Sequence, residues 1–113
     1  MKILVIFLLI SLSTNAQETI YTNIAKQAVR QYGTSYVLSF QDMNYTQLTV
    51  REQMTFTRLE FDEFLIICDK VLNKEDVDTD YDLVKSGNSI RLTHGTAYTY
   101  ISKRALNKIK ESL

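Results

Sequence analysis

Phe61-Asp62-Glu63-Phe64-Leu65-Ile66-Ile67-Cys68-Asp69-Lys70-Val71-Leu72 carries apolar residues at offsets 0, 3, 4, 7, 10 and 11. That spacing fills one broad stripe of an α-helix and predicts a core helix over 61–72. Two starts compete for it. Asp62 can cap with Phe61 and Ile66 as the staple, and Thr57 with Glu60 can form a capping box. The alternation through Leu59 and Phe61 reads as a strand, which favours Asp62.

On both sides of this helix the period is two. Upstream, Tyr36 to Phe40, Tyr45 to Val50 and Met54 to Phe61 read as three strands, separated by the turn-forming cluster Gln41-Asp42-Met43-Asn44 and by Arg51-Glu52-Gln53. Downstream, Tyr81 to Lys85, Ser89 to Thr93 and Thr96 to Ile101 read as three more, turning at Gly87-Asn88 and His94-Gly95. Farther out, Tyr21, Ile24, Ala25, Ala28, Val29 and Tyr32 are spaced by three and four, which predicts a first helix ended by Gly33. Ser102 caps a closing helix with Ala105, Leu106, Ile109 and Leu113 on one stripe. The expected order is α-βββ-α-βββ-α. Strands that arrive in hairpins give a mostly antiparallel sheet of two three-stranded meanders with three helices, an α+β fold. The β-β-β-α unit occurs twice in this reading, but aligning Phe61-Asp62 with Ile101-Ser102 yields few identities.

The N-terminus has the three parts of a secretory signal: Met1-Lys2, an apolar run from Ile3 to Leu12, and Ser13-Thr14-Asn15-Ala16 before a cut. The run is half the roughly 20 residues that span a bilayer. Cleavage after Ala16, a secreted or periplasmic location and one domain over residues 17–113 are the expectations, with no spanning segment. That domain has a single cysteine, so no internal disulfide can form. Cys68 lies among Phe64, Leu65, Ile66 and Ile67, as an inert buried thiol would.

Without Lys2 the chain carries 12 basic and 13 acidic side chains, a balance that points away from nucleic acid. The distribution is uneven, with nine acids in residues 60–82 and a basic end over 83–113. Separate solvated faces explain this, and a docking surface for a polar partner or an anionic membrane is the functional alternative.

Chemistry finds few footholds. A nucleophile needs a base within reach, and this chain offers one histidine, His94, at an expected hairpin tip, and one cysteine in the core stripe. Zinc would want more Cys and His ligands. Asp76, Asp78, Asp80 and Asp82 alternate as at the start of a calcium loop, but Tyr81 stands where glycine is needed and Gly87 where glutamate is needed. The glycines are isolated, so no phosphate loop is present. Asn44-Tyr45-Thr46 spells a glycosylation acceptor. No catalytic, cofactor-binding or metal-binding residue is assigned, and no cofactor is expected. What remains is the tyrosines: Tyr98 and Tyr100 share a strand face, with Tyr81, Arg91 and Thr93 in the same meander. The expected function is a non-enzymatic binding module, adaptor or inhibitor-like, that meets a protein partner on that face. A small hydrolase or thiol enzyme using His94, or a carrier of lipid or another small ligand, is the alternative.

Overall fold

The first sheet is a four-stranded antiparallel meander of β1 (Gln17–Thr22), β2 (Gln27–Tyr32), β3 (Ser35–Gln41) and β4 (Arg51–Thr57), in sequence order. Helix α1 (Arg58–Leu72) follows. A three-stranded meander comes next, β5 (Asp82–Ser86), β6 (Ser89–His94) and β7 (Ala97–Ser102), and α2 (Lys103–Ser112) closes the chain. This computed structural model describes residues 17–113, so the expected leader and its cleavage point lie outside the described residues. The architecture is α+β with antiparallel sheets, and among the described residues there are two helices where the periodicity predicted three, and two sheets of four and three strands where one sheet of two three-stranded meanders was expected.

The missing helix is the segment over Tyr21–Tyr32, which forms the β1–β2 hairpin instead. Its three-and-four spacing coincides with an alternation that the hairpin uses: Tyr21 pairs with Val29, and Val29 with Leu38 on the next strand. The turn is built by a side chain. Asn23 Oδ1 accepts the Gln27 backbone N–H at 3.0 Å, and Lys26 takes φ of 61°, a left-handed residue that no glycine announces. Gly33 is not a helix stop. It occupies the first loop position between the paired residues Tyr32 and Ser35 with φ of 59°, as a tight hairpin turn requires.

Two further expectations are corrected. Tyr45–Val50 is not a strand: residues 42–50 form an irregular loop, because Asp42 and Gln41 hold its backbone in place of a ladder. Strand β4 ends at Thr57, and α1 begins there rather than at Asp62. Thr57 Oγ1 accepts the Glu60 N–H at 3.2 Å while Glu60 Oε1 accepts the Thr57 N–H at 2.8 Å, so the complete capping box sets the boundary. The second meander and α2 form as the sequence predicts, except that the second turn is Gly95-Thr96 rather than His94-Gly95, so His94 ends β6 paired with Ala97. Ser102 Oγ accepts from the Ala105 N–H at 3.0 Å.

One cluster of buried side chains draws on both sheets and both helices. Val29, Leu38, Phe40, Met54 and Phe56 face it from the first sheet, and Ile90, Leu92 and Ile101 from the second. Between them α1 inserts Phe61, Phe64, Leu65, Cys68 and Leu72, and α2 adds Ala105, Leu106 and Ile109. Each large apolar side chain so buried contributes roughly 1.5–3 kcal/mol. Phe61 is wholly buried, with ring centroids 5.3 Å from Phe56 and 5.9 Å from Tyr36. Lys110 of α2 forms an ion pair with Asp69 of α1 across the helix contact.

Where the sheets meet, the joint is polar and buried. Gln27 donates from Nε2 to the Tyr100 carbonyl at 2.7 Å and to Thr99 Oγ1 at 3.0 Å, and its Oε1 accepts from Asn23 Nδ2 at 2.8 Å. Nearby, the Met43 N–H donates to the Tyr98 carbonyl at 3.0 Å, and the Asp42 carboxylate accepts the Tyr98 N–H at 3.4 Å. Backbone groups of β7 that would otherwise form an open sheet edge are thereby partly closed by the first sheet.

Candidate binding surface

Strands β6 and β7 alternate strictly, so each places every second side chain outside. Ile90, Leu92, Ala97, Thr99 and Ile101 point inward and are buried. Arg91 pairs across the strands with Tyr100, and Thr93 with Tyr98. These four line one shallow recess of about 360 Å³. The two tyrosine rings meet edge to face, centroids 5.9 Å apart at 90°, which holds the aromatic surface in one arrangement. Val84 pairs with Arg91 from β5 and extends the same face, exposed. It was legible as the outward partner of Leu83 in the alternation.

Tyr81 stands apart from this group. Its ring packs edge-on against Phe64 at 5.1 Å and near Phe56 at 6.1 Å, at the margin of the core. Burial, reinforced by Glu60 and Glu63, pushes its phenol above the ordinary value.

A second concavity adjoins the face and shares Tyr100 with it. This groove, about 480 Å³, lies between the β1–β2 turn and the 42–50 loop, with Thr99 and Tyr100 as its floor. Ile24, Met43, Tyr45 and Leu48 line it and are exposed. Sequence reading missed it because it assigned Ile24 to a helix stripe and Leu48 to a strand face. A tight Asn-led turn and the turn formers at 41–44 were the available signals.

The remaining candidates are dispersed. His94 ends β6, about half exposed, with Nδ1 3.5 Å from Glu52 Oε2. Cys68 is fully buried on α1, and burial pushes its thiol up to about 12, far from a thiolate at neutral pH. Residues 75–79 are irregular, and among the described residues no three His, Cys, Asp or Glu side chains converge as a metal site would require. Asn44 uses its amide within the fold, donating to Asp42 Oδ1 at 2.9 Å and to the Thr96 carbonyl at 2.7 Å. No described helix is long and apolar enough to cross a membrane. No family model, no curated protein and no solved structure matches this chain, so the surface has to be interpreted from its own chemistry.

Proposed function

We propose that the chain is exported, is cut after Ala16, and works as a single non-enzymatic binding domain over residues 17–113. The outer face of the second sheet meets a protein partner. What carries the reading is Arg91 set among Thr93, Tyr98 and Tyr100 on an outward sheet face. Tyrosine and arginine supply a large share of the energy at protein interfaces, because each presents wide contact area together with directional polar groups. Among the described residues Arg91 forms no ion pair, which leaves its guanidinium available to a carboxylate of the partner.

The test uses a photo-crosslinking residue at Thr93 in producing cells, with a second probe at exposed Asn107 on α2. A single discrete adduct at Thr93 and none at Asn107 is the expected result. Arg91→Ala and Tyr98→Ala should each weaken binding to the captured protein roughly tenfold or more. Equal crosslinking at both positions, or unchanged affinity in both variants, would overturn the reading. The exported form should have a mass that begins at Gln17, and retention of the whole chain inside the cell would overturn the export proposal.

A further inference from the structure

The end of the molecule around Ile24 combines two chemistries. Among the described residues, five of the nine large exposed apolar side chains, Ile24, Met43, Tyr45, Leu48 and Tyr100, line one groove beside the β1–β2 turn. Such concentration marks an interaction surface, since scattered exposed apolar groups are the ordinary condition. Ile24 also borders a second recess, on the α2 side, together with Arg104 and Lys108. Among the described residues, no aspartate or glutamate lines either recess. Lys26 adds a third cation, and neither it nor Arg104 forms an ion pair among the described residues. Lys108 has only an exposed contact with Glu111 at 3.9 Å.

The tip is held rigidly. Asn23 and Gln27 exchange a backbone hydrogen bond of 3.1 Å and two side-chain bonds of 2.8 and 3.0 Å, and Gln27 is itself buried and bonded to β7. On the facing loop, Gln41 Nε2 donates to the Leu48 carbonyl at 2.9 Å. Ile24 is therefore kept wholly in water by a structured turn, although burying it would be favourable.

We propose that this end docks on an anionic lipid bilayer, with Ile24, Met43 and Leu48 entering the acyl boundary while Lys26, Arg104 and Lys108 meet the lipid phosphates. A bilayer accounts for both halves of the surface. Its interior receives apolar side chains that project outward, and its phosphate plane neutralises cations placed beside them. Tyr45 and Tyr100, with apolar rings and polar hydroxyls, suit the boundary between the two. An enclosed small molecule fits less well, because its pocket would have to cover Ile24. The site adjoins the Arg91 and Tyr98 face and shares Tyr100 with it, but rests on the Ile24 groove and the cations beside it and does not depend on the proposal of a protein partner.

Flotation of the purified protein with vesicles tests this. Vesicles of equal phosphatidylcholine and phosphatidylglycerol should bind it, pure phosphatidylcholine should bind it weakly, and added salt should release it. Ile24→Ser combined with Leu48→Ser should weaken binding by roughly tenfold or more. Arg104→Gln and Lys108→Gln should each weaken it about fivefold and reduce the salt dependence. All four positions are exposed, so the thermal midpoint should not move, and any retained leader is common to every variant. Lys70→Gln, an exposed position on α1 that lines neither recess, should leave vesicle binding unchanged. Equal binding by normally melting tip variants, equal binding to both vesicle types, or a small molecule found in the groove by native mass spectrometry would each overturn the proposal.

Discussion

The chain builds one unit twice, and the two copies differ where function is proposed. β2-β3-β4-α1 and β5-β6-β7-α2 are each a three-stranded antiparallel meander running directly into a helix. In each, the last strand residue is the helix cap, Thr57 and Ser102, with nearly the same backbone angles: φ of −70° and −72°, ψ of 167° and 156°. The alignment that relates them therefore matches Thr57 with Ser102, and not Asp62 with Ser102. The copies part at the connection before the final strand. In the second, Gly95-Thr96 turns the chain between paired His94 and Ala97. In the first, residues 42–50 intervene, and that loop exposes Met43, Tyr45 and Leu48. A tight turn leaves no room for side chains with other work, whereas a loop anchored by a buried aspartate can display them.

The comparison breaks if the two units are separately stable. Phe61→Ala removes a wholly buried ring from the first and should cost about 3–5 kcal/mol, and Leu106→Ala in the second about 2–5 kcal/mol. Because the buried cluster joins both units, each variant should shift one shared transition. Urea unfolding followed by tyrosine fluorescence and by circular dichroism measures this. Two transitions, only one of them moved by each variant, would mean that the units fold independently. Cys68 gives a further probe: buried among these side chains, it should react with alkylating reagents only as fast as the shared core opens.

The polar joint comes next in size. Gln27→Ala removes three side-chain hydrogen bonds and leaves the Tyr100 carbonyl without this partner, while the Asn23 amide keeps the Tyr21 hydroxyl as acceptor, at a cost of roughly 1–3 kcal/mol. Gln31→Ala, which loses one exposed bond to the Gly33 carbonyl, should stay within about 0.5 kcal/mol. Equal melting of the two would show that the Gln27 hydrogen bonds add nothing to the joint between the sheets.

Legibility in the sequence followed the same division. Residues 82–113 were readable because each local signal had one interpretation: glycine-led turns, strict alternation, and a serine before a helical stripe. Within residues 17–57 the β3 strand and most of β4 were readable from their alternation, but the β1–β2 hairpin and the 42–50 loop were not, because their deciding interactions are side chain to backbone. Asn23 making a turn, Lys26 in a left-handed conformation, and Asp42 receiving N–H groups from Asn44 and Tyr98 leave no periodic trace. Apolar residues at three-and-four spacing then imitated a helix, and Leu48 and Val50 imitated a strand. The Arg91, Thr93, Tyr98 and Tyr100 grouping could be read because cross-strand register follows from turn length. The Ile24 groove brings together segments far apart in sequence, and nothing in one chain's periodicity encodes that.

The caps refine the correspondence. Thr57→Ala and Ser102→Ala should each cost about 1 kcal/mol, read from thermal or urea midpoints. They differ in pH response. The Thr57 backbone N–H, and then its hydroxyl, hold the Glu60 carboxyl below its ordinary value. A carboxyl lowered in the folded state stabilises above its unfolded pKa, and that contribution is lost as pH falls through the folded value. Acidification below about pH 4.5 should therefore weaken the first cap, Glu60→Gln should abolish this dependence, and the second cap, which has alanine at the equivalent Ala105, should show no such loss. The end of α1 offers the opposite sign. The Glu75 N–H donates to the Lys70 carbonyl and the Lys74 N–H to that of Val71, with Lys74 at φ of 59°, so Lys74→Gly should stabilise by up to about 1 kcal/mol.

The smallest expected effect is the most discriminating about chemistry. His94 and Glu52 also link the second sheet to the first, but at 3.5 Å and with both side chains substantially exposed. Water screens such a pair, so His94→Ala should change stability by no more than about 0.5 kcal/mol, against the larger loss at Gln27. Binding to a captured partner and to vesicles should also persist in this variant, since His94 lines neither proposed surface. Loss of a measurable activity on His94→Ala, with the midpoint unmoved, would mean that the histidine acts on a substrate. The hairpin tip, rather than the tyrosine face or the Ile24 groove, would then be the functional end of the second unit.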